Sequence, residues 1–143
     1  MNKLHIVTDS NSHIPLALCH ELDISVVPLP FVWDGTPYLG NVDMGPREFK
    51  SQLCQSKSIP TTSGPPPGLF RSEFERLASD GLPILAILVA QVFSSTFTAA
   101  KLARETIPEA DVRLVDSGAN TMGLGFQVLA AARAAQALSL IHI

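Results

Sequence analysis

Four short stretches of the chain carry clustered hydroxyl or carboxylate side chains: Thr8-Asp9-Ser10, Thr61-Thr62-Ser63, Ser94-Ser95-Thr96 and Asp116-Ser117. Hydroxyls grouped in this way can hold an anion by hydrogen bonds without supplying a positive charge. A serine close to a carboxylate can also be part of a nucleophilic site. The triplet Ser94-Ser95-Thr96 has the most informative setting. Ile84 to Ala90 is unbroken apolar sequence, as in a strand buried on both faces of a parallel sheet, while Phe97, Lys101, Leu102 and Glu105 fall into helical spacing after it. The triplet therefore sits where a strand ends and a helix begins. In an open α/β sheet ligands bind beyond the carboxyl ends of the strands, and free N–H groups at a helix start favour an anion there. The alternative is that Ser94 or Ser95 simply caps the helix.

The elements that must position these residues follow from the apolar pattern. Strands are predicted near 4–8, 24–27, 84–90 and 112–115, and helices near 14–22, 46–55, 68–79, 95–105 and 120–138. Ser12 is the expected cap of the first helix, whose first turn contains Pro15. Phe31-Val32-Trp33 and Tyr38 flank Asp34-Gly35, a hairpin signal, and Trp33 and Tyr38 are expected to pack that hairpin onto the body. Phe49 and Leu53 mark the buried face of the second helix, and Ile59 to Gly68 is a Pro- and Gly-rich loop. Gly123 and Gly125 are expected to admit another backbone close to the last helix. The fold predicted is a three-layer α/β domain with a mostly parallel sheet and helices on both faces. In that topology the turns at 8–12, 93–96 and 116–121 share one edge, and Thr62 folds over it towards Ser94.

Composition narrows the function classes. The chain has 143 residues, 46% of them hydrophobic and 16% charged, with a net charge of -3. That length holds one domain with a real core, and the charged fraction is low beside the usual ~25%. Scattered Lys and Arg give no case for nucleic acid. No stretch approaches a membrane span and MNKLHIVTDS is too short in apolar residues for a signal peptide, so a cytoplasmic protein is expected. Cys19 and Cys54 lack a CxxC and read as buried free thiols, and His5, His13, His20 and His142 lack metal-ligand spacing, so neither metal nor cofactor is expected. Two rival classes remain. A serine hydrolase would use Ser94 or Ser10 with Asp9 or Asp116 in support, but no histidine follows a predicted strand end near them and there is no Gly-x-Ser-x-Gly elbow. A phosphate-binding α/β module would want a Gly-rich loop such as GxxxxGK[ST], which is missing.

Taken in order, Val7-Thr8-Asp9-Ser10, Pro60-Thr61-Thr62-Ser63 before Pro67-Gly68, Phe93-Ser94-Ser95-Thr96-Phe97, and Val115-Asp116-Ser117 before Met122-Gly123-Leu124-Gly125 resemble the amino-terminal domain of the DegV family of bacterial fatty-acid-binding proteins. The resemblance covers Leu4 to about Gln136. It implies a DegV-like domain over 1–137, an atypical end over 138–143, and the absence of the family's second domain, so that the chain looks like a truncated form. It further implies a long-chain fatty acid as ligand and a fatty acid kinase as partner, the kinase making acyl phosphate while this protein binds and presents. The carboxylate ligands of the family match Thr62 and Ser94, with Ser63 and Ser95 beside them; Thr8, Asp9, Ser10, Asp116 and Ser117 form supporting turns. The family usually has Thr-Ser-Gln-Pro-Ser where this chain has Thr62 to Pro66, a Ser-Ser pair at Ala90-Gln91, and Ser-Gly-Thr at Ser94 to Thr96.

Overall fold

The computed structural model of the chain describes residues 4–141, with side chains through 137. β1 (His5–Asp9) leads through a 3-10 turn (Ser10–Ser12) into α1 (Leu16–Glu21), followed by β2 (Ile24–Val27), β3 (Pro30–Trp33), β4 (Thr36–Leu39) and α2 (Pro46–Gln55). Then come β5 (Thr61–Thr62), α3 (Pro67–Ala78), β6 (Ile84–Leu88), α4 (Thr96–Glu105), β7 (Val112–Asp116) and α5 (Thr121–Ile141). The main sheet is fully parallel, in the order β2-β1-β6-β7. Alternate residues of β6 serve opposite layers, which is why its sequence is apolar without a break. Ile84, Ala86 and Leu88 pack with Phe70, Phe74 and Ala100 of α3 and α4. Ile87 and the following Val89 pack with Cys19 of α1 and with Leu124 and Val128 of α5. Helices thus cover both faces, as the apolar pattern predicts.

The differences from the sequence reading have local causes. β6 stops at Leu88 and not at Ala90, because the next two N–H groups leave the ladder: Val89 donates to Asp9 Oδ2 at 2.8 Å and Ala90 to the carbonyl of Ala119 at 3.0 Å. α1 starts only at Leu16, with Pro15 at its N-cap and no side-chain cap. Ser12 instead ends the 3-10 turn, buried, and His13 takes a left-handed φ of 51° that turns the chain before the helix. α2 has no buried residue, so Leu53 (42% exposed) and Cys54 lie outwards while Cys19 alone of the two thiols is buried. α5 runs past the expected end at 138, and residues 142–143 of the atypical end lie outside the described residues.

A second, antiparallel sheet, β4-β3-β5, stands beside the first. Asp34 and Gly35 both adopt positive φ, 49° and 77°, as a two-residue hairpin of right-handed twist requires. Trp33 is buried and donates its indole N–H to Ser58 Oγ at 3.0 Å and Ser56 Oγ at 3.2 Å, while Phe49 of α2 meets both Phe31 and Trp33 edge-on. Tyr38 stacks on Phe31 at 5.2 Å. Thr61 and Thr62, expected within a loop, pair with Val32 and Phe31. Two paired residues framed by proline and glycine carry no strand signal of their own.

Two contacts fix the carboxyl edge of the main sheet. The first is Asp9, whose Oδ1 accepts from Asn11 N–H at 2.9 Å while Oδ2 accepts from Val89, tying the end of β1 to the end of β6. The second is Gly125. A Cβ there would overlap the carbonyl oxygen of Ser12, so only glycine lets α5 lie on the 3-10 turn. Gly123, expected to act likewise, would meet only Ala119 Cβ at 3.4 Å, an ordinary contact. Gly125→Ala is expected to cost about 1–3 kcal/mol by overpacking, read as a lower melting temperature, with Gly123→Ala close to neutral.

Asp9 yields a pH prediction. Burial pushes its carboxyl above the usual range, against the pull of the Val89 and Asn11 N–H groups, which favour the charged form. A carboxyl whose native pKa is raised binds more protons folded than unfolded between the two values, so its contribution to stability falls as pH rises through that window. Asp9→Asn leaves one of the two N–H groups facing an amide donor, at about 1–3 kcal/mol. In urea unfolding the margin of wild type over Asp9→Asn should be widest below pH ~4 and narrow towards neutrality before levelling off. A margin that widens with pH would contradict burial as the dominant cause.

Candidate functional site

Because β1, β6 and β7 are parallel, the turns that follow them share one edge, as the sequence reading expects. The chain leaving β1 goes to α1 on one face, and the chain leaving β6 goes to α4 on the other. Between them a crevice opens at the point where the strand order reverses. A cavity of about 370 Å³ lies there, lined by Asn11 after β1, by Val89 and Phe93 to Ser95 after β6, by Thr62 to Gly64 of the Pro-rich segment, and by Asn120 before α5. Thr62, Ser63, Ser94 and Ser95 thus line one cavity, although they come from two distant stretches of sequence.

Ser94 Oγ accepts the N–H of Thr96 at 3.2 Å and lies 2.7 Å from Thr96 Oγ1, whose residue is fully buried. Either hydroxyl can donate in that pair; in the arrangement where Thr96 donates, the Ser94 proton is available to a ligand. Ser95 occupies the N-cap position of α4 but makes no side-chain cap bond. Ser94, one residue before the N-cap, accepts the first helical N–H in a local turn, so its acceptor side has a structural part. Thr62, Ser63 and Ser95 make no side-chain hydrogen bond among the described residues and keep their full capacity. Gly64 lies directly against the Ser95 hydroxyl.

The other residues singled out from sequence do not line this cavity. Thr8 and Asp9 are fully buried. Ser10 Oγ accepts from Leu29 N–H at 3.1 Å, joining the first turn to the connection between β2 and β3. Asp116 accepts from Gln91 Nε2 at 3.0 Å and Gly118 N–H at 3.0 Å, and the Gly118 bond first, then Gln91, holds its carboxyl below the usual range. Ser117 closes the same turn through both backbone groups of Ala119. Asn11, Leu29 and Asn120 were not singled out. The two asparagines follow strand ends, a signal that was available, whereas Leu29 arrives only through the path of the β2–β3 connection.

A second cavity, of about 420 Å³, adjoins the first and shares Asn11, Leu29 and Thr62 with it. Its walls are mostly apolar, with Ile14 and Leu16 of the α1 segment on one side and Phe31, Met44 and Phe49 of the small sheet and α2 on the other. No Lys, Arg, Asp or Glu lines either cavity among the described residues, and His13 is on the wall of the apolar one. Neither the Ser10 nor the Ser94 hydroxyl bonds to the His13 ring; their partners are Leu29 and Thr96. Among the described residues no group of His, Cys, Asp and Glu could hold a metal ion, and no helix is long and apolar enough to cross a membrane.

The chain matches the profile of the DegV family of uncharacterised proteins over residues 3–138. A DegV domain-containing protein of Streptococcus pneumoniae is 40% identical over 137 residues, covering 95% of this chain and 48% of the relative. Among solved structures, a fatty-acid-binding DegV family protein from Thermus thermophilus is 30% identical with a TM-score of 0.82, over 96% of this chain and 48% of that one. DegV of Bacillus subtilis, described as a fatty acid binding protein, is 27% identical with a TM-score of 0.89, over 97% and 49%. The chain spans about half the length of the curated relatives it matches. By its sequence and by its α/β fold, the chain belongs to the DegV family.

Proposed function

We propose that this chain binds a long-chain fatty acid, with the carboxylate in the hydroxyl-lined cavity and the acyl chain in the apolar one. In this reading it is a cytoplasmic carrier that presents the acid to a fatty acid kinase, and the phosphorylation to acyl phosphate belongs to that partner. The observation that carries the reading is that the two cavities lie side by side, sharing Asn11, Leu29 and Thr62 in their walls. A polar compartment beside an apolar one suits the two ends of an amphiphile, and a few polar groups on an otherwise apolar wall fix its orientation. Thr62 and Ser94 are the carboxylate ligands in this reading, with Ser63 and Ser95 adjacent and the first turn of α4 adding backbone donors. The fatty acids bound by the solved relatives support the same ligand class.

Thr62 gives the cleaner test, since its side chain has no other bond to lose. Removing a hydroxyl that hydrogen-bonds a carboxylate out of water costs roughly 1.5–3 kcal/mol, or roughly ten- to a hundredfold in affinity. Thr62→Ala should lower fatty-acid affinity by that factor and leave melting unchanged. Ser94→Ala should lower affinity similarly and, because it also removes the cap on Thr96 N–H, reduce stability by about 1 kcal/mol. Ser10→Ala should affect stability more than affinity. Calorimetric titration with oleate, beside thermal melts of the same proteins, checks all three, and lowered melting with intact affinity in Ser94→Ala would leave that residue a cap and nothing more.

The carboxyl edge also calls for a cover. Leu16 (51% exposed), Val92 (85%) and Phe93 (65%) stand in the turns or first helical turns at that edge, and Phe126 (66%) in the second turn of α5. We infer that a second polypeptide unit, as in relatives of twice the length, closes the site there. The chain by itself is then expected to bind fatty acid weakly and to self-associate, and the pair Val92→Ser and Phe126→Ser to reduce association in light scattering. A monodisperse monomer at high concentration, unchanged by those substitutions, would count against the cover.

A further inference from the structure

Gly64 and Ser95 meet in the wall of the polar cavity. A Cβ on Gly64 would overlap the Ser95 hydroxyl and stand 3.4 Å from Ser95 Cβ. Backbone geometry does not demand glycine here, because Gly64 is not among the residues of positive φ. Helix capping does not demand the Ser95 hydroxyl either, since it makes no cap bond and Ser94 serves Thr96 N–H. What remains is space: the hydroxyl fills the volume that a side chain at 64 would take. The pair also lies between the two arms of the site. Thr62 is two residues before Gly64 on a segment paired with β3, and Ser94 immediately precedes Ser95 at the start of α4.

We propose that Gly64 and Ser95 are a size-matched pair of positioning residues that sets the gap between the Thr62 and Ser94 hydroxyls, and so the affinity for a carboxylate head group. The proposal rests on the reading of Thr62 and Ser94 as carboxylate ligands. A methyl group at 64 must either lift the 61–66 segment from α4 or turn the Ser95 hydroxyl out of its place. The first widens the gap, the second changes the cavity wall beside Ser94, and removing the Ser95 side chain makes room for the methyl group.

The test compares four full chains: wild type, Gly64→Ala, Ser95→Gly and the double variant. Each is titrated with oleate, melted without ligand, and recorded by amide NMR without ligand. Gly64→Ala is expected to weaken oleate binding roughly tenfold and to shift the amide signals of Thr62 and Ser94. The double variant should recover affinity to within about twofold of Ser95→Gly, since contacting residues couple and do not add. Simple addition of the two effects, or wild-type affinity in Gly64→Ala, overturns the proposal. So does a change confined to melting, which would make the contact structural only. Weak oleate binding by wild type is what an uncovered site predicts, and no binding at any concentration removes the fatty-acid reading by itself; in either case the Thr62 and Ser94 amide signals decide the pair: unmoved by Gly64→Ala, they refute it.

Discussion

The carboxylate of Asp9 is the interaction on which the site depends. It is fully buried and receives two backbone N–H groups, Asn11 from its own turn and Val89 from the neighbouring strand. Burying a charge this way is costly, and hydrogen bonding to both oxygens offsets part of that cost. In return the bond to Val89 takes β6 out of its ladder one residue after Leu88. The chain from Val89 to Ser95 is then free to cross the edge of the sheet instead of extending it. Without that exit the hydroxyls of Ser94 and Ser95 would be displaced along the strand direction, away from Thr62.

The chemistry offered at this edge is that of neutral dipoles. The polar cavity has hydroxyls, amides and a helix start, and no charged side chain among the described residues. Such a site holds an anion without neutralising it, so the binding energy must come in large part from elsewhere. An amphiphile meets that condition because its apolar chain contributes in proportion to the area it removes from water. A small multivalent phosphate would not, having no apolar part to place against Phe31, Met44 and Phe49 and no cation to meet its charge. The adjoining cavities therefore favour one ligand class by the charges that are missing from their walls as well as by the residues that line them.

Much of this was legible in the chain, for identifiable reasons. The unbroken apolar run of β6, the Asp34-Gly35 hairpin and the apolar pattern of a helix near 68–79 are strong local signals, and the structure carries all of them. Parallel topology then put the turns after β1, β6 and β7 on one edge. Element ends were less legible because they are decided by distant partners: Val89 leaves its strand for Asp9, 80 residues earlier. The strand at Thr61–Thr62 and the whole apolar cavity were invisible from sequence. Both depend on where the small sheet sits beside the large one, a relation between segments that no local pattern encodes.

That relation also explains the position of Thr62. Its backbone pairs with Phe31, so it belongs to the small sheet, while the cavity it lines is built on the turns of the large one. Ser10 joins the two bodies by accepting Leu29 N–H, just before β3 begins. Thr62 is therefore placed by the docking of one sheet on the other, and Ser94 by the exit of β6 within a single sheet. A carboxylate held by both would bridge the two bodies, and its acyl chain would fill the space between them. By linkage, anything that binds only when the sheets are docked stabilises their docking by the same free energy. Ligand and fold are coupled at this seam, with the Asp9 bond defining one side of it and the Thr61–Thr62 pairing the other.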